Sequence, residues 1–370
     1  MTTHEIHAIT AVSTPPTAHN GQAPPHVQEE PSQPETPRDH AVVISADEVH
    51  EREVEWLWKP YVALGKLCLL DGEPGTGKTL WATALAACVS QGYTLPGQDG
   101  TLTESPGEPG MTLFIAAEDD IGDTLKPHLR QADADQSKVK FIDTIVTAQG
   151  RERCFTLEHL PLLAEEVQRW CPRLVYIDSL QAVLGGRIDI NRANQVTAAL
   201  RGLEALAAHY RFALIATRHP AKPGQNNIAR LIHRGMGSQA FIGRARLGLY
   251  VEEHPCDDTK VLLVQSKSNA GEKGITQVFS KQGGVFEWCG ITRINATMMA
   301  GSGRGPDPHA FLKACFWLEE QLHAPQWADE LLARAKEEEI SHRQVNGAKK
   351  ALKVVSTRVH DAWAWSLPPL

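Results

Sequence analysis

Short apolar runs alternate with amphipathic stretches through the middle of the chain. KLCLLD (66–71), MTLFIAA (111–117), VKFIDTIV (139–146), RLVYIDS (173–179) and FALIAT (212–217) are strand-length and mostly apolar. Runs of that kind predict strands covered on both faces. Between them, KTLWATALAACVSQ (78–91), residues 121–132, LEHLPLLAEEVQRW (157–170) and residues 191–209 place apolar side chains at helical spacing. Strands alternating with helices predict an α/β core with a mostly parallel central sheet and helices on both faces. Beyond a polar loop (218–236), LGLYVEE, VLLVQSK, TQVFSK and GVFEWC follow at short spacing and predict hairpin strands.

The last sixty residues carry a different rhythm. FLKACFWLEEQL (311–322) and WADELLARAKEEE (327–339) have helical periodicity, and Ser341-His342-Arg343-Gln344 is a capping box opening a third helix, RQVNGAKKAL. VVSTRV, a turn at His360-Asp361 and AWAWSL then predict a hairpin. Three helices and a hairpin predict a small C-terminal winged helix-turn-helix domain (309–370), joined through a linker (291–308) to a core spanning 51–290. Residues 1–50 are rich in Pro, Thr, His and Glu. They hold too little apolar surface to offset the entropy of ordering, so they are expected to form a disordered acidic tail.

Charge changes the picture once its distribution is considered. The net charge of the 370 residues is -7, which argues against nucleic acid if spread evenly. Residues 1–52, however, carry eight acids and two arginines, so most of the excess lies in the tail and the rest is close to neutral. The seven cysteines show no C-x-x-C pairing, which favours buried thiols in a reducing, cytoplasmic compartment. There is no apolar run of the ~20 residues that span a bilayer and no basic-then-apolar leader, so no membrane or secretory role is expected.

The sharpest chemical signal is Gly72-Glu73-Pro74-Gly75-Thr76-Gly77-Lys78-Thr79, with Leu80 behind it. It matches G-x-x-x-x-G-K-[ST] and falls between a strand and a helix, the context the motif requires. Backbone N–H groups of such a loop cradle phosphates at a helix N-terminus. Lys78 would reach the β and γ phosphates of ATP, and Thr79 would hold Mg²⁺. Asp178, closing LVYID, is placed to reach the Mg²⁺ shell through water. Glu118, at the end of FIAA, is the candidate for orienting the attacking water, with Asp119 and Asp120 as adjacent alternatives.

In order along the chain, GEPGTGKT, AAEDD, LVYIDS, LIATRHPAKPG, GSQAFIGRAR and QSKSNAG resemble the motifs of RecA-like AAA-type ATPases of the RepA group, relatives of plasmid hexameric replicative helicases and, more distantly, of DnaB and KaiC. The resemblance covers roughly residues 54–290. It implies a RecA-like P-loop NTPase core that assembles as a ring, with ATP between subunits. It also implies that Lys78 and Thr79 bind ATP and Mg²⁺, that Glu118 is the catalytic base, and that Asp178 is the Mg²⁺-linked acid. By the same match, His219 senses the γ-phosphate and Arg246 is an arginine finger offered to the neighbouring subunit; Arg244 and Lys267 are alternatives for that role. Two departures stand out. Ser179 follows Asp178 where the family has proline, and the family's His-x-x-Lys is His219-Pro220-Ala221-Lys222, preceded by Arg218.

Two basic regions point towards DNA. The loop 218–237 carries Arg218, Lys222, Arg230 and Arg234 with no acid, and in RecA-like rings this loop faces the channel. A ring of such loops would track a single-stranded phosphate backbone. Arg187 and Arg192 follow the Asp178 strand. Residues 341–360 carry Arg343, Lys349, Lys350, Lys353 and Arg358 and no acid, the footprint of a recognition helix and wing on duplex DNA, although winged helices also dock proteins. The resulting expectation is an ATP-hydrolysing, ring-forming helicase or translocase, most simply a hexamer, acting in replication of a plasmid, phage or mobile element. The alternative is an ATP-dependent DNA-binding switch without processive unwinding.

Overall fold

The computed structural model describes residues 41–186, 188–219, 231–235, 237, 239–300 and 308–369. The expected disordered tail therefore lies, as far as residue 40, outside the described residues. The chain divides into two units, with the boundary between Arg52 and Glu53. In the first, the described part is exposed and holds one 3-10 turn, Ala46–Glu48, whose Glu48 carboxylate accepts from the Ser45 N–H at 3.0 Å.

The second unit is organised by a nine-stranded sheet. Its strands are β1 (Leu67–Gly72), β2 (Thr112–Ala116), β3 (Val139–Ile142), β4 (Leu174–Asp178), β5 (Ala213–Arg218), β6 (Leu247–His254), β7 (Asp257–Ser268), β8 (Thr276–Ser280) and β9 (Glu287–Thr292). Across the sheet the order is β9-β8-β7-β6-β1-β5-β4-β2-β3. The six strands from β6 to β3 run parallel; β7, β8 and β9 add an antiparallel meander. This is a mixed α/β fold with a large, mostly parallel sheet, as a P-loop NTPase core requires.

Side chains alternate along β1 between two cores, as the strand period of two dictates. Cys68 and Leu70 join Trp58, Trp81, Leu85, Phe114 and Tyr176 under α1 (Lys78–Gln91). Leu67 and Leu69 join Leu163, Val167, Leu180, Leu200 and Leu203 under α3 (Leu160–Trp170), α4 (Leu180–Leu184) and α5 (Ala193–Tyr210). Every residue of β1 is buried, which explains why its sequence lacks polar alternation.

Three local expectations are revised. The helix expected over 121–132 opens as a wide turn, Ile121–Leu125, before α2 (Lys126–Gln131), because the Asp120 carboxylate caps the N–H groups of Gly122 and Asp123. The strand expected over 139–146 breaks at Asp143, and Thr144–Val146 pairs instead with Glu152–Cys154. The segment 291–308 is not simply a linker: β9 runs into it, and α7 (Ala296–Ala300) follows; residues 301–307 lie outside the described residues.

The C-terminal elements are α8 (Pro308–Gln321), α9 (Ala328–Glu337) and α10 (His342–Ala351), with a three-stranded antiparallel sheet of β10 (Gln326–Trp327), β11 (Val355–Val359) and β12 (Ala362–Ser366) in the order β10-β12-β11. They share one apolar cluster with the large sheet. Tyr250, Leu262, Val264 and Val278 pack with Ala314, Leu318, Leu331, Val345 and Trp365. About sixty residues bury too little surface for a robust core of their own, and here the face of β6–β8 completes it.

Candidate nucleotide site

Gly72 ends β1 and opens the phosphate loop. A Cβ there would lie 2.7 Å from the Val251 carbonyl oxygen on β6, so the close approach of the neighbouring strand demands glycine. Gly77 caps α1 in the left-handed region (φ +99°). No side chain caps the α1 N-terminus, and its first turn holds no acid. The helix therefore presents uncompensated N–H groups and positive dipole at the loop, which fits a phosphate. Lys78 is turned into the same cradle and donates to the carbonyls of Gly72 (2.9 Å) and Glu73 (2.8 Å). Burial pushes its pKa down, while the charges of Asp178, Glu118, Glu73 and Asp71 oppose that shift.

Three carboxylates gather opposite Lys78. Asp178 is buried at the end of β4, and its Oδ1 accepts from the Thr217 hydroxyl at 2.5 Å. Burial pushes its pKa up, the Thr217 hydrogen bond pulls it back, and the charges of Glu118 and Asp119 add to the rise. Asp119, not Asp178, makes direct contact with the loop: Thr79 Oγ1 donates to Asp119 Oδ2 at 2.7 Å. Glu118 Oε1 is shared between the Ser179 hydroxyl at 2.5 Å and His219 Nε2 at 2.9 Å. Glu118 and His219 are each about one-third exposed (35%), open to a ligand, whereas Ser179 is fully buried. Asp120 caps its own turn and is committed there.

Behind this cradle lies an ion pair that sequence reading missed. Arg218 Nε and Nη2 donate to Asp71 Oδ1 (2.9 Å) and Oδ2 (2.7 Å), with both side chains buried. Arg218 therefore does not belong to a solvent-facing cationic loop. It stands inside the sheet, over the Phe241 ring and against Gly235. The signal was present in LLDG: a charge within a fully buried strand needs a partner. Ser179 and Thr217 were likewise invisible as contacts, because strand neighbours distant in sequence supply their partners.

Arg246 sits at the other edge of the sheet. Its N–H donates to the Leu67 carbonyl at the start of β1 (3.0 Å), while the phosphate loop leaves the far end. Five residue steps of strand separate those ends by roughly 17 Å. The Arg246 side chain is exposed beside Gly65, Lys66, Arg201 and Glu204, which line a shallow cleft. The two alternative cations are engaged. Arg244 is paired with Glu204, and Lys267 donates to the Ile242 (2.5 Å) and Ala245 (2.7 Å) carbonyls at the end of α6 (Gln239–Arg244).

The basic residues assigned to DNA divide into several groups. Lys222, Arg230 and Arg187 lie outside the described residues. Arg234 is half-buried and donates to the Met299 carbonyl at 3.3 Å; Arg192 pairs with Asp189 at 3.3 Å. Lys349 Nζ stands 3.9 Å from the Trp365 ring centre, where burial pushes its pKa down. Arg343 and Lys350 are exposed along one face of α10.

A family model described as an AAA domain matches residues 29–225, a span that holds the phosphate loop, Glu118, Asp119, Asp178, Ser179 and His219 and ends before Arg246. No curated protein matches the chain. Among the described residues, no helix is long and apolar enough to cross a membrane.

Proposed function

The chain belongs to the AAA domain family, and on that premise we propose that it is an ATP-hydrolysing DNA translocase or helicase that works as a ring, most simply a hexamer, in replication of a plasmid, phage or mobile element. Mg²⁺-ATP supplies the phosphoanhydride bond whose hydrolysis drives the cycle. Lys78 and the loop N–H groups bind the phosphates, and Lys78 exchanges its two carbonyl contacts for them. Thr79 holds Mg²⁺, with Asp178 and Asp119 as the acids beside it; two carboxylates and a hydroxyl are a sufficient protein share for a cation that retains much of its water. Glu118 takes the proton of the attacking water. His219, bonded to the same Glu118 oxygen, couples that base to the loop after β5.

The observation that carries the ring is the separation of Arg246 from its own phosphate loop by the length of β1. An exposed arginine at that edge is out of reach of its own nucleotide, which supports a role towards a neighbour's, and an arginine finger can be worth ~10³–10⁵ in rate. The order helix, short strand, helix, helix, hairpin supports reading 309–370 as a winged helix that contacts DNA or a partner protein.

Steady-state ATP hydrolysis with and without single-stranded DNA at moderate salt tests the proposal. A motor is stimulated, and neutralising Lys222 and Arg230 removes the stimulation without removing ATP binding. ATP binding with no stimulation would replace the motor with an ATP-gated DNA-binding switch. In either case Lys78→Ala should lose ATP affinity.

A further inference from the structure

A cleft of about 1050 Å³ lies between α10 and the large sheet, walled on one side by α10 and on the other by α7 and the segment before β8. Arg343, Gly347 and Lys350 fall on the α10 wall at i, i+4 and i+7, one helical face. Lys273 stands across the cleft, with its ammonium donating to the Ser266 carbonyl at 2.8 Å. Among the described residues that line it there is no carboxylate. Its apolar lining includes Phe311 and Met298, both partly buried against the cluster shared with the sheet.

We infer that this cleft binds a short segment of single-stranded nucleic acid, with phosphates on Arg343, Lys350 and Lys273 and a base against Phe311. The inference rests on the reading of the chain as a protein that acts on DNA. Cations without acids select a polyanion, and an aromatic ring in the lining beside Gly347 selects one with flat faces, the combination that single-strand grooves use. The volume is at the top of the range for ligand pockets, room for a few nucleotides and not for a duplex. A duplex would also need the Arg343–Lys350 face open on both flanks to enter a major groove about 12 Å wide, and here α7 stands opposite it.

Gly347 is the second observation. Glycine inside a helix lowers stability relative to alanine, so a packing reason is expected. There is none: an added Cβ would meet the Phe311 ring at an ordinary 3.6 Å. The missing side chain instead leaves that ring uncovered towards the cleft.

The test measures fluorescence anisotropy of a labelled oligothymidylate of about 12 nucleotides, within the range of single-strand site sizes. It uses the full chain without ATP, in a Lys222→Gln/Arg230→Gln background. Gly347→Leu, which raises helix propensity and covers Phe311, should weaken binding about tenfold, the scale of one lost stacked base. Its melting temperature should not fall, since leucine is the better helix former, and its ATP hydrolysis without DNA should be unchanged. Arg343→Gln/Lys350→Gln should flatten the slope of log affinity against log salt by about 1.4, two phosphates at ~0.7 each. Undiminished binding by Gly347→Leu would overturn the inference. So would equal competition by a duplex of the same length, which would return α10 to groove reading, or tighter binding of a polyglutamate peptide, which would make the cleft a peptide groove. If Gly347→Leu weakens the oligonucleotide while DNA leaves ATP hydrolysis unstimulated, the cleft stands and the motor reading fails.

Discussion

Replacing Arg218 with methionine should be among the most damaging single changes in the sheet. The side chain is fully buried and gives Asp71 two hydrogen bonds, at 2.9 and 2.7 Å, one to each carboxylate oxygen. Methionine fills much of the space of the arginine stem but leaves Asp71 buried and unpaired, where burial already pushes its pKa up against the pull of Arg218. Removing one member of a buried pair costs about 3–5 kcal/mol, a large share of the ~5–15 kcal/mol that holds a typical domain folded. Asp71→Leu should cost a similar amount, because it strands the guanidinium. The double variant Asp71→Leu/Arg218→Met removes both charges and should recover most of the loss, since apolar replacement of a buried pair is often neutral. Urea denaturation of the three variants gives the midpoints and slopes; with single losses of about 3–5 kcal/mol each and a double variant near neutral, the cycle gives a coupling of roughly 5 kcal/mol or more, above the ~0.5–3 kcal/mol usual for residues in contact because each single variant strands a buried group. Single variants that each cost under about 1 kcal/mol, or strictly additive losses, would refute the claim that this pair joins the ends of β1 and β5. Gly235 offers a check from the other side: an alanine Cβ there would fall 2.1 Å from Arg218 Nε, so Gly235→Ala should destabilise through the same contact.

Further expectations concern catalysis and pH. Glu118→Gln should retain ATP binding and lose about 10²–10⁴-fold in turnover; single-turnover hydrolysis at the wild-type rate would transfer the base to Asp119. Arg246→Ala should hydrolyse ATP poorly alone and recover part of the rate when mixed with Lys78→Ala subunits, measured by titrating one into the other; absence of rescue would count against a finger supplied between subunits. His254 sits against Phe316 of α8 at 4.1 Å between ring centres, with Lys260, Asp257 and Glu320 around it. Burial and then Lys260 push its pKa below its ordinary ~6.5. The unfolded chain then binds the extra proton first, so this contribution to stability is complete above about pH 6.5 and is lost as the pH falls towards the depressed value. His254→Phe should flatten the pH dependence of the urea midpoint between pH 8 and 5; an unchanged profile would contradict that assignment.

The sequence by itself determined the phosphate loop and most of the core elements, though not the breaks at Asp120 and Asp143. Apolar runs such as LVYID and FALIAT are strands because nothing else buries both faces of so short a segment, and GEPGTGKT between a strand and a helix is a phosphate cradle on local backbone grounds alone. Ser341 to Gln344 announced α10 through a cap that needs no distant partner, and that cap forms, with the Ser341 N–H donating to Gln344 Oε1 at 2.7 Å. What only the tertiary structure decided are the pairings across strands. Asp71 finds Arg218 147 positions away, Glu118 finds Ser179 and His219, and Thr79 finds Asp119 in preference to Asp178, because parallel strand order brings together residues whose separation in sequence is set by intervening helices. Charge read from sequence placed Arg218, Arg234 and Lys349 together with solvent-facing cations. The fold turned the first into the sheet, tied the second to a carbonyl and laid the third on an indole, since a side chain's partners depend on which surfaces meet around it.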